Sequence, residues 1–403
     1  MAQDATQVGG SRWLYVILGL VVNIMLGAIY SFSLFRVPLE KLWHISATAS
    51  GYPFMLFLAV FAIAMPIGGN LMQKWGPRNT MILGSILVGI GWILAGFSTS
   101  IGMLALIYGI IGGFGVGLVY GCPVAVAAKW FPDKGGLAIG LTVGGFGLSA
   151  LVMAPIIKAL ISSVGPLNTF MYLGIVFLVV NVLLSLPFKF PPPDFKVAPA
   201  TTTTQSQAVA AKDYDRSEAI TKSTFWILWF LYIIGAMAGI MAIGIAAPVG
   251  KELKLSAAAA ASAIQLFAIF NFAGRPLYGW LTDKITPKYA SALSFVVIAI
   301  ATGLLYSSKS VGIYYVAFSL LWLTLGGWLA IAPTATKTFF GTKYYGKNYG
   351  VIFTAYGIAA ILGTLLSGKI KDMTGSYFSV FPIVMVIAIV GIIISLALRP
   401  PKS

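Results

Sequence analysis

Twelve apolar runs of about 18 to 27 residues each are long enough to cross a bilayer as helices. They fall at about 13–35, 50–72, 79–98, 101–128, 136–158, 167–188, 223–249, 257–281, 289–307, 311–336, 348–368 and 376–398. A chain that is 59% hydrophobic and 9% charged cannot hide so much apolar surface in one water-facing core, where about 25% charge is usual. Lipid is therefore the solvent these runs are built for. The fold class expected is an all-α membrane protein of twelve transmembrane helices. No leader for cleavage is visible, because the polar stretch Met1–Gly10 runs into an apolar segment of full span length. Cys122 is the single cysteine, which excludes an internal disulfide and a cysteine metal cluster.

The net charge of +16 would suggest nucleic acid for a soluble protein; here the sidedness of loops explains it. With the N-terminus inside, seventeen of the 26 Lys and Arg fall in cytoplasmic segments and eight on the opposite side. That asymmetry puts both termini in the cytoplasm, and the expected location is the cell inner (cytoplasmic) membrane. The ten acids and His44 all fall in loops or at helix ends, leaving Arg275 as the one formal charge expected inside the membrane core.

The chain is written twice at an offset of 210 residues. VPLEKLWHIS (37–46) lies over APVGKELKLS (247–256), and AMPIGGNLMQKWGPR (64–78) over GRPLYGWLTDKITPK (274–288). Pro38, Pro66, Pro77 and Pro123 thereby meet Pro248, Pro276, Pro287 and Pro333. Two pseudo-symmetric six-helix halves follow, 1–188 and 223–403. The joint, 189–222, is polar, rich in Pro and Thr and without apolar periodicity, and is expected to be a flexible cytoplasmic linker.

The segments GNLMQKWGPR and GWLTDKITPK resemble the loop motif of the major facilitator superfamily, G-x-x-x-D-R/K-x-G-R/K-R/K. Gly69, Lys74 and Arg78 carry it in the first copy, and Asp283 and Lys284 in the second. Gln73 replaces the acid in the first, and Thr286 the glycine in the second. The resemblance implies the major facilitator fold, with these loops as gates instead of substrate sites. A second stretch, KWFPDKGGLAIGLTVGGFG (129–147), is similar to the fourth-to-fifth span signature of the monocarboxylate transporter and oxalate/formate antiporter branch. Its glycines Gly135, Gly136 and Gly140 permit close helix approach, and the ladder Gly113, Gly117, Gly121 reads as helix packing, not a nucleotide loop.

Arg275 corresponds to Met65 in the first half, while the prolines beside both match. A requirement of the fold would appear in both halves, so the asymmetry points to function. About eight residues of helix rise separate Arg275 from Asp283, roughly 12 Å, which puts the arginine near the midplane where such transporters bind substrate. Arginine holds a carboxylate through two parallel N–H···O bonds. The alternative is a structural arginine satisfied by backbone carbonyls, tyrosine hydroxyls and water. Asn271 lies one helical turn earlier on the same face and has the chemistry to bond a carboxylate or α-hydroxyl.

The resemblance adds detail and departures. Monocarboxylate transporters place an acid, a proposed proton site, where Asn271 stands, and mammalian relatives a lysine near Tyr30. Oxalate/formate antiporters carry a second cation near Tyr356. One cation facing one substrate suits a monoanion better than oxalate. Tyr120, Tyr30, Phe146, Trp328 and Tyr356 sit in spans that line the cavity in this superfamily and are candidate substrate contacts, with ordinary core or lipid-facing packing as the alternative for each.

The expectation is a secondary active transporter of small monocarboxylates such as L-lactate or pyruvate, working as a monomer by alternating access. The resemblance implies proton symport; an oxalate/formate-type anion exchanger is the alternative. No cofactor and no metal is implied, and nothing in the core resembles the nucleophile and base of an enzyme.

Overall fold

The computed structural model describes residues 4–45, 47–192, 195, 212–255 and 257–401. Among them nine helices are apolar and long enough to cross a membrane. Three of the nine exceed 40 residues, and each contains one residue of non-helical backbone. Nine continuous runs therefore supply twelve crossings.

The first span, α1 (Asp4–Leu26), passes through a 3-10 turn into α2 (Ser33–Trp43). The doubled helix α3 spans Tyr52–Ala95 and breaks at Gly76. A π-helical stretch, Ala105–Gly112, leads into α4 (Gly113–Trp130). Helix α5 (Gly135–Ser185) is doubled and breaks at Gly165. There follow α6 (Ser223–Glu252), the doubled α7 (Ala257–Ser307) with its break at Thr286, α8 (Val311–Phe340), α9 (Tyr345–Thr374) and α10 (Phe381–Ala397).

Each break precedes a proline: Gly76-Pro77, Gly165-Pro166 and Thr286-Pro287. Proline disfavours α geometry in the residue before it, and its own fixed φ suits the first turn of the helix that follows. The left-handed residues carry the duplication too. Gly76 (φ 77°) pairs with Thr286 (φ 74°), Gly165 (φ 80°) with Gly375 (φ 76°), and His44 (φ 50°) with Lys254 (φ 57°), all at the offset of 210. The two caps match in hydrogen bonding as well: Ile45 N–H donates to the Glu40 carbonyl, and Leu255 N–H to that of Gly250. The repeat read from prolines is thus a repeat of backbone geometry.

The chain divides into two compact units. Unit 1 comprises Met1–Pro132, Gly145–Ala198 and Tyr344–Thr354; unit 2 comprises Asp133–Gly144, Pro199–Lys343 and Ala355–Ser403. Within unit 1, α3 and α9 meet backbone to backbone at Gly69 and Gly346, where no side chain would fit. Within unit 2, α5 and α7 do the same at Gly136 and Gly279, the offset counterparts.

The described ends of the segment expected to be a linker are hydrogen-bonded to the helices beside them. Trp130 Nε1–H donates to the Lys189 carbonyl at 2.9 Å. At the other end Tyr214 N–H donates to the Phe340 carbonyl at 3.1 Å. Asp213 Oδ1 accepts from the Thr342 and Lys343 amides at 2.8 and 2.9 Å. Residues 193–194 and 196–211 lie outside the described residues.

Lys337 lies in the last turn of α8 and not in the loop where the sequence reading places it. The apolar run ends at Ala335–Thr336, but α8 continues to Phe340 and closes on Gly341 (φ 80°), leaving Lys337 buried and not in a loop.

Two predictions follow from this backbone. Thr286 occupies a φ,ψ region that is almost exclusive to glycine, at a cost of about 1–3 kcal/mol. Glycine loses about 0.5–1 kcal/mol more on ordering. Thr286→Gly is therefore expected to stabilise the protein by about 1 kcal/mol, seen as a higher thermal midpoint; an unchanged or lower midpoint contradicts the strain. At the far end of α6, burial pushes the Glu252 carboxyl up, but hydrogen bonds from Ser376, the Tyr377 amide and the Lys371 ammonium together hold it below its ordinary value. Its contribution is thus present above about pH 4, the unfolded value, and disappears as pH falls through the lower folded value. Wild type should lose more stability than Glu252→Gln between pH 5 and pH 3 by about that one group's linkage; parallel pH profiles would refute it.

Candidate functional site

Arg275 sits in the first crossing of α7 and is fully buried. Its environment is set by the bare backbone of α5. Gly140 lets α5 approach the Arg275 carbonyl so closely that a side chain would collide with it. One turn on, the Val143 carbonyl accepts a hydrogen bond from Arg275 Nη1. The i,i+4 spacing on α7 brings Asn271 Oδ1 within 2.9 Å of Arg275 Nη2. Asn271 is also fully buried. A guanidinium has five N–H donors, and among the described residues Arg275 has these two acceptors and no carboxylate. Arg275 Nε and Asn271 Nδ2 are buried without a hydrogen-bond partner. The result is a cation removed from water, half satisfied, with its amide neighbour holding a spare donor beside it. An anion of two oxygens fits that donor set.

A second charge cluster, half-buried apart from the buried Lys337, stands at the end of the same crossing. Asp283 Oδ1 and Oδ2 accept from the Gly136 and Leu137 amides at 2.9 and 3.1 Å. These are the first free N–H groups of α5, where a carboxylate also meets the positive end of the helix dipole. The Lys337 ammonium lies over Gly135, attracted by Asp283 and Asp133. In the first copy the equivalent positions are Gln73 and Ala127, so that end of unit 1 has no corresponding pair. Lys74, Arg78 and Lys284 are exposed, and Gly69 makes the helix contact described above. Sequence reasoning missed Lys337; the signal was Gly341, a C-terminal helix glycine four residues after the lysine.

The aromatic candidates group by unit. In unit 1, Phe146 packs edge-on against both Tyr30 (5.1 Å between centroids) and Tyr120 (5.4 Å). Phe61 and Phe353 complete that cluster, 5.3 and 5.4 Å from Tyr120. In unit 2, Tyr232 stacks on Trp328 at 6.1 Å and reaches Tyr356 at 6.4 Å. The Trp328 indole also faces Gly235 and Phe295, which makes it part of the helix packing of α6, α7 and α8. Phe61, Phe353 and Tyr232 were not anticipated. For Phe353 the signal was the stripe Tyr345, Tyr349, Phe353 at four-residue spacing on α9.

Comparison with known proteins agrees with this architecture. The chain matches the Major Facilitator Superfamily over residues 16–364 and again over 228–403. It is 29% identical over 376 residues to the oxalate:formate antiporter of Oxalobacter formigenes, covering 92% of this chain and 88% of that protein. It is 26% identical over 390 residues to monocarboxylate transporter 13 of Bos taurus, covering 93% and 86%. Among solved structures it is similar in fold to FucP in the outward conformation, with a TM-score of 0.71 at 15% identity over 96% of this chain and 99% of that one.

The geometry gives a direct expectation for Asn271. Hydrogen bonds to charged groups contribute about 1.5–3 kcal/mol, and Asn271 Oδ1 is one of two acceptors holding Arg275. Asn271→Ala should lower the thermal midpoint of the ligand-free protein by several degrees. A midpoint within one degree of wild type would mean that the bond does not support the guanidinium.

Proposed function

The chain belongs to the major facilitator superfamily and is a transporter, not an enzyme; from that premise we propose that it moves small monocarboxylates, L-lactate or pyruvate-like, by proton-coupled symport. The observation that carries the reading is Arg275, fully buried with two acceptors for five donors and no carboxylate partner among the described residues. The substrate carboxylate takes the place of the missing counter-charge. Asn271 Nδ2, buried without a partner, donates to the second carboxylate oxygen or to an α-hydroxyl. The alternating-access motion common to such folds then carries the bound anion across. The chain works as a monomer in the inner membrane with both termini cytoplasmic, as the distribution of Lys and Arg supports.

The similarity to a monocarboxylate transporter and to an oxalate:formate antiporter supports an anionic cargo. It also favours a second reading, anion exchange, in which Arg275 stays charged because an anion is bound on each passage. For symport the proton travels with the substrate or through a titratable group of unit 2. Asp283 and Glu252 are two acids there that join separate membrane-crossing helices or their ends.

Uptake of labelled L-lactate into proteoliposomes separates these readings. Symport predicts uptake driven by an inward proton gradient, reduced at least about tenfold in Arg275→Ala, in keeping with the loss of one or more charge-assisted bonds. Exchange predicts uptake only against preloaded anion, with no response to the gradient. No lactate movement under either condition would overturn the substrate class.

A further inference from the structure

Between the break of α7 and the ends of α8 and α10 lies a cavity of about 370 Å³ lined by Thr286, Pro287, Lys288, Tyr289, Thr338, Phe339, Leu398, Arg399 and Pro400. Two cations and no carboxylate line it, and the remaining wall is mostly apolar. The helices that frame it terminate or turn here, so the cavity stands at the depth of the membrane–water boundary. Arg399 is exposed, and its backbone is fixed by Thr224 Oγ1, which donates to the Arg399 carbonyl at 2.8 Å. Lys288 is half-buried, its ammonium 5.4 Å from the centre of the Tyr289 ring.

From the cavity an exposed apolar stripe runs along α7 through Tyr289, Leu293, Val296 and Ile300. Exposed Leu396 and Ile393 run along α10 in the same direction, and the two helices pack together where Phe295 meets Gly391. Charge at the boundary and an apolar track leading away from it describe an amphiphile.

The duplicated counterpart makes the contrast. In unit 1 the offset positions of Arg399 and Pro400 are Lys189 and Phe190, and there the chain covers itself. Phe190 lies beneath the Lys129 ammonium at 3.8 Å, and Phe195 packs on Trp130 at 4.8 Å. In unit 2 the corresponding place is the cavity.

We propose that this cavity binds the phosphate of an anionic phospholipid between Lys288 and Arg399, with an acyl chain laid along the stripe from Tyr289 to Ile300. The chemistry recognised is a phosphate with a net negative charge, and the track specifies that it comes from a lipid and not from free phosphate.

The test is a thermal-unfolding titration of the detergent-purified full chain with phosphatidylglycerol, phosphatidylcholine and inorganic phosphate. Phosphatidylglycerol should raise the midpoint at lower concentration than phosphatidylcholine, and inorganic phosphate should have little effect. In Lys288→Gln/Arg399→Gln the phosphatidylglycerol concentration for half-maximal effect should rise roughly thirtyfold, about fivefold per basic residue. The charge-preserving Lys288→Arg/Arg399→Lys variant and a control pair, Lys343→Gln/Lys347→Gln, should respond like wild type. Equal responses to both lipids, equal potency of free phosphate, or the same loss in the control pair would overturn the proposal. Should the glutamine variant not fold, native mass spectrometry of wild type decides it: no preference for phosphatidylglycerol over phosphatidylcholine overturns the site.

Discussion

Helices α5 and α7 touch along bare backbone, at Gly136 against Gly279 and at Gly140 against Arg275 itself, and the chemistry of unit 2 depends on that approach. At the usual 8–10 Å between helix axes, side chains would separate the two strands of backbone. Without them, the Val143 carbonyl reaches the Arg275 guanidinium and the Asp283 carboxylate reaches the first amides of α5. One glycine contact thus positions both a half-satisfied cation and a helix cap. The same contact exists at Gly69 and Gly346 in unit 1, but it carries no charge there.

That difference between copies is the informative one. Three positions change together: Met65, Gln73 and Ala127 in the first half stand where Arg275, Asp283 and Lys337 stand in the second. Each change places a formal charge in or beside the core, where even lenient scales assign about 2.5–3.5 kcal/mol to an uncompensated charge at mid-membrane. Asp283 and Lys337 offset one another and cap a helix. Arg275 has no such partner among the described residues, and an anionic substrate is the chemically simplest way to complete it.

Most of the fold was legible in the sequence because its rules are long-range and coarse. Bilayer thickness sets the length of an apolar run, and duplication leaves prolines at a fixed offset; both survive drift in individual side chains. The cap pair His44 and Lys254 was not legible, since neither residue type announces a left-handed φ. Thr286 was read as a departure from a motif, yet its backbone kept the glycine geometry of Gly76. Lys337 was misplaced because hydropathy ends a span at the first charge, whereas the helix ends where backbone geometry changes, at Gly341. Arg275 and Asn271 were legible as a pair from their spacing. The Val143 carbonyl was not, since a backbone acceptor leaves no trace in residue identity.

The central claim is that the carboxylate of the substrate supplies the counter-charge of Arg275. The most direct measurement compares the binding of L-lactate and of lactamide, its neutral isostere, to the purified protein and to Arg275→Gln by calorimetry. The account predicts that wild type binds lactate and not lactamide, and that the variant loses lactate. Equal binding of the two compounds, or lactate binding kept in Arg275→Gln, would contradict it.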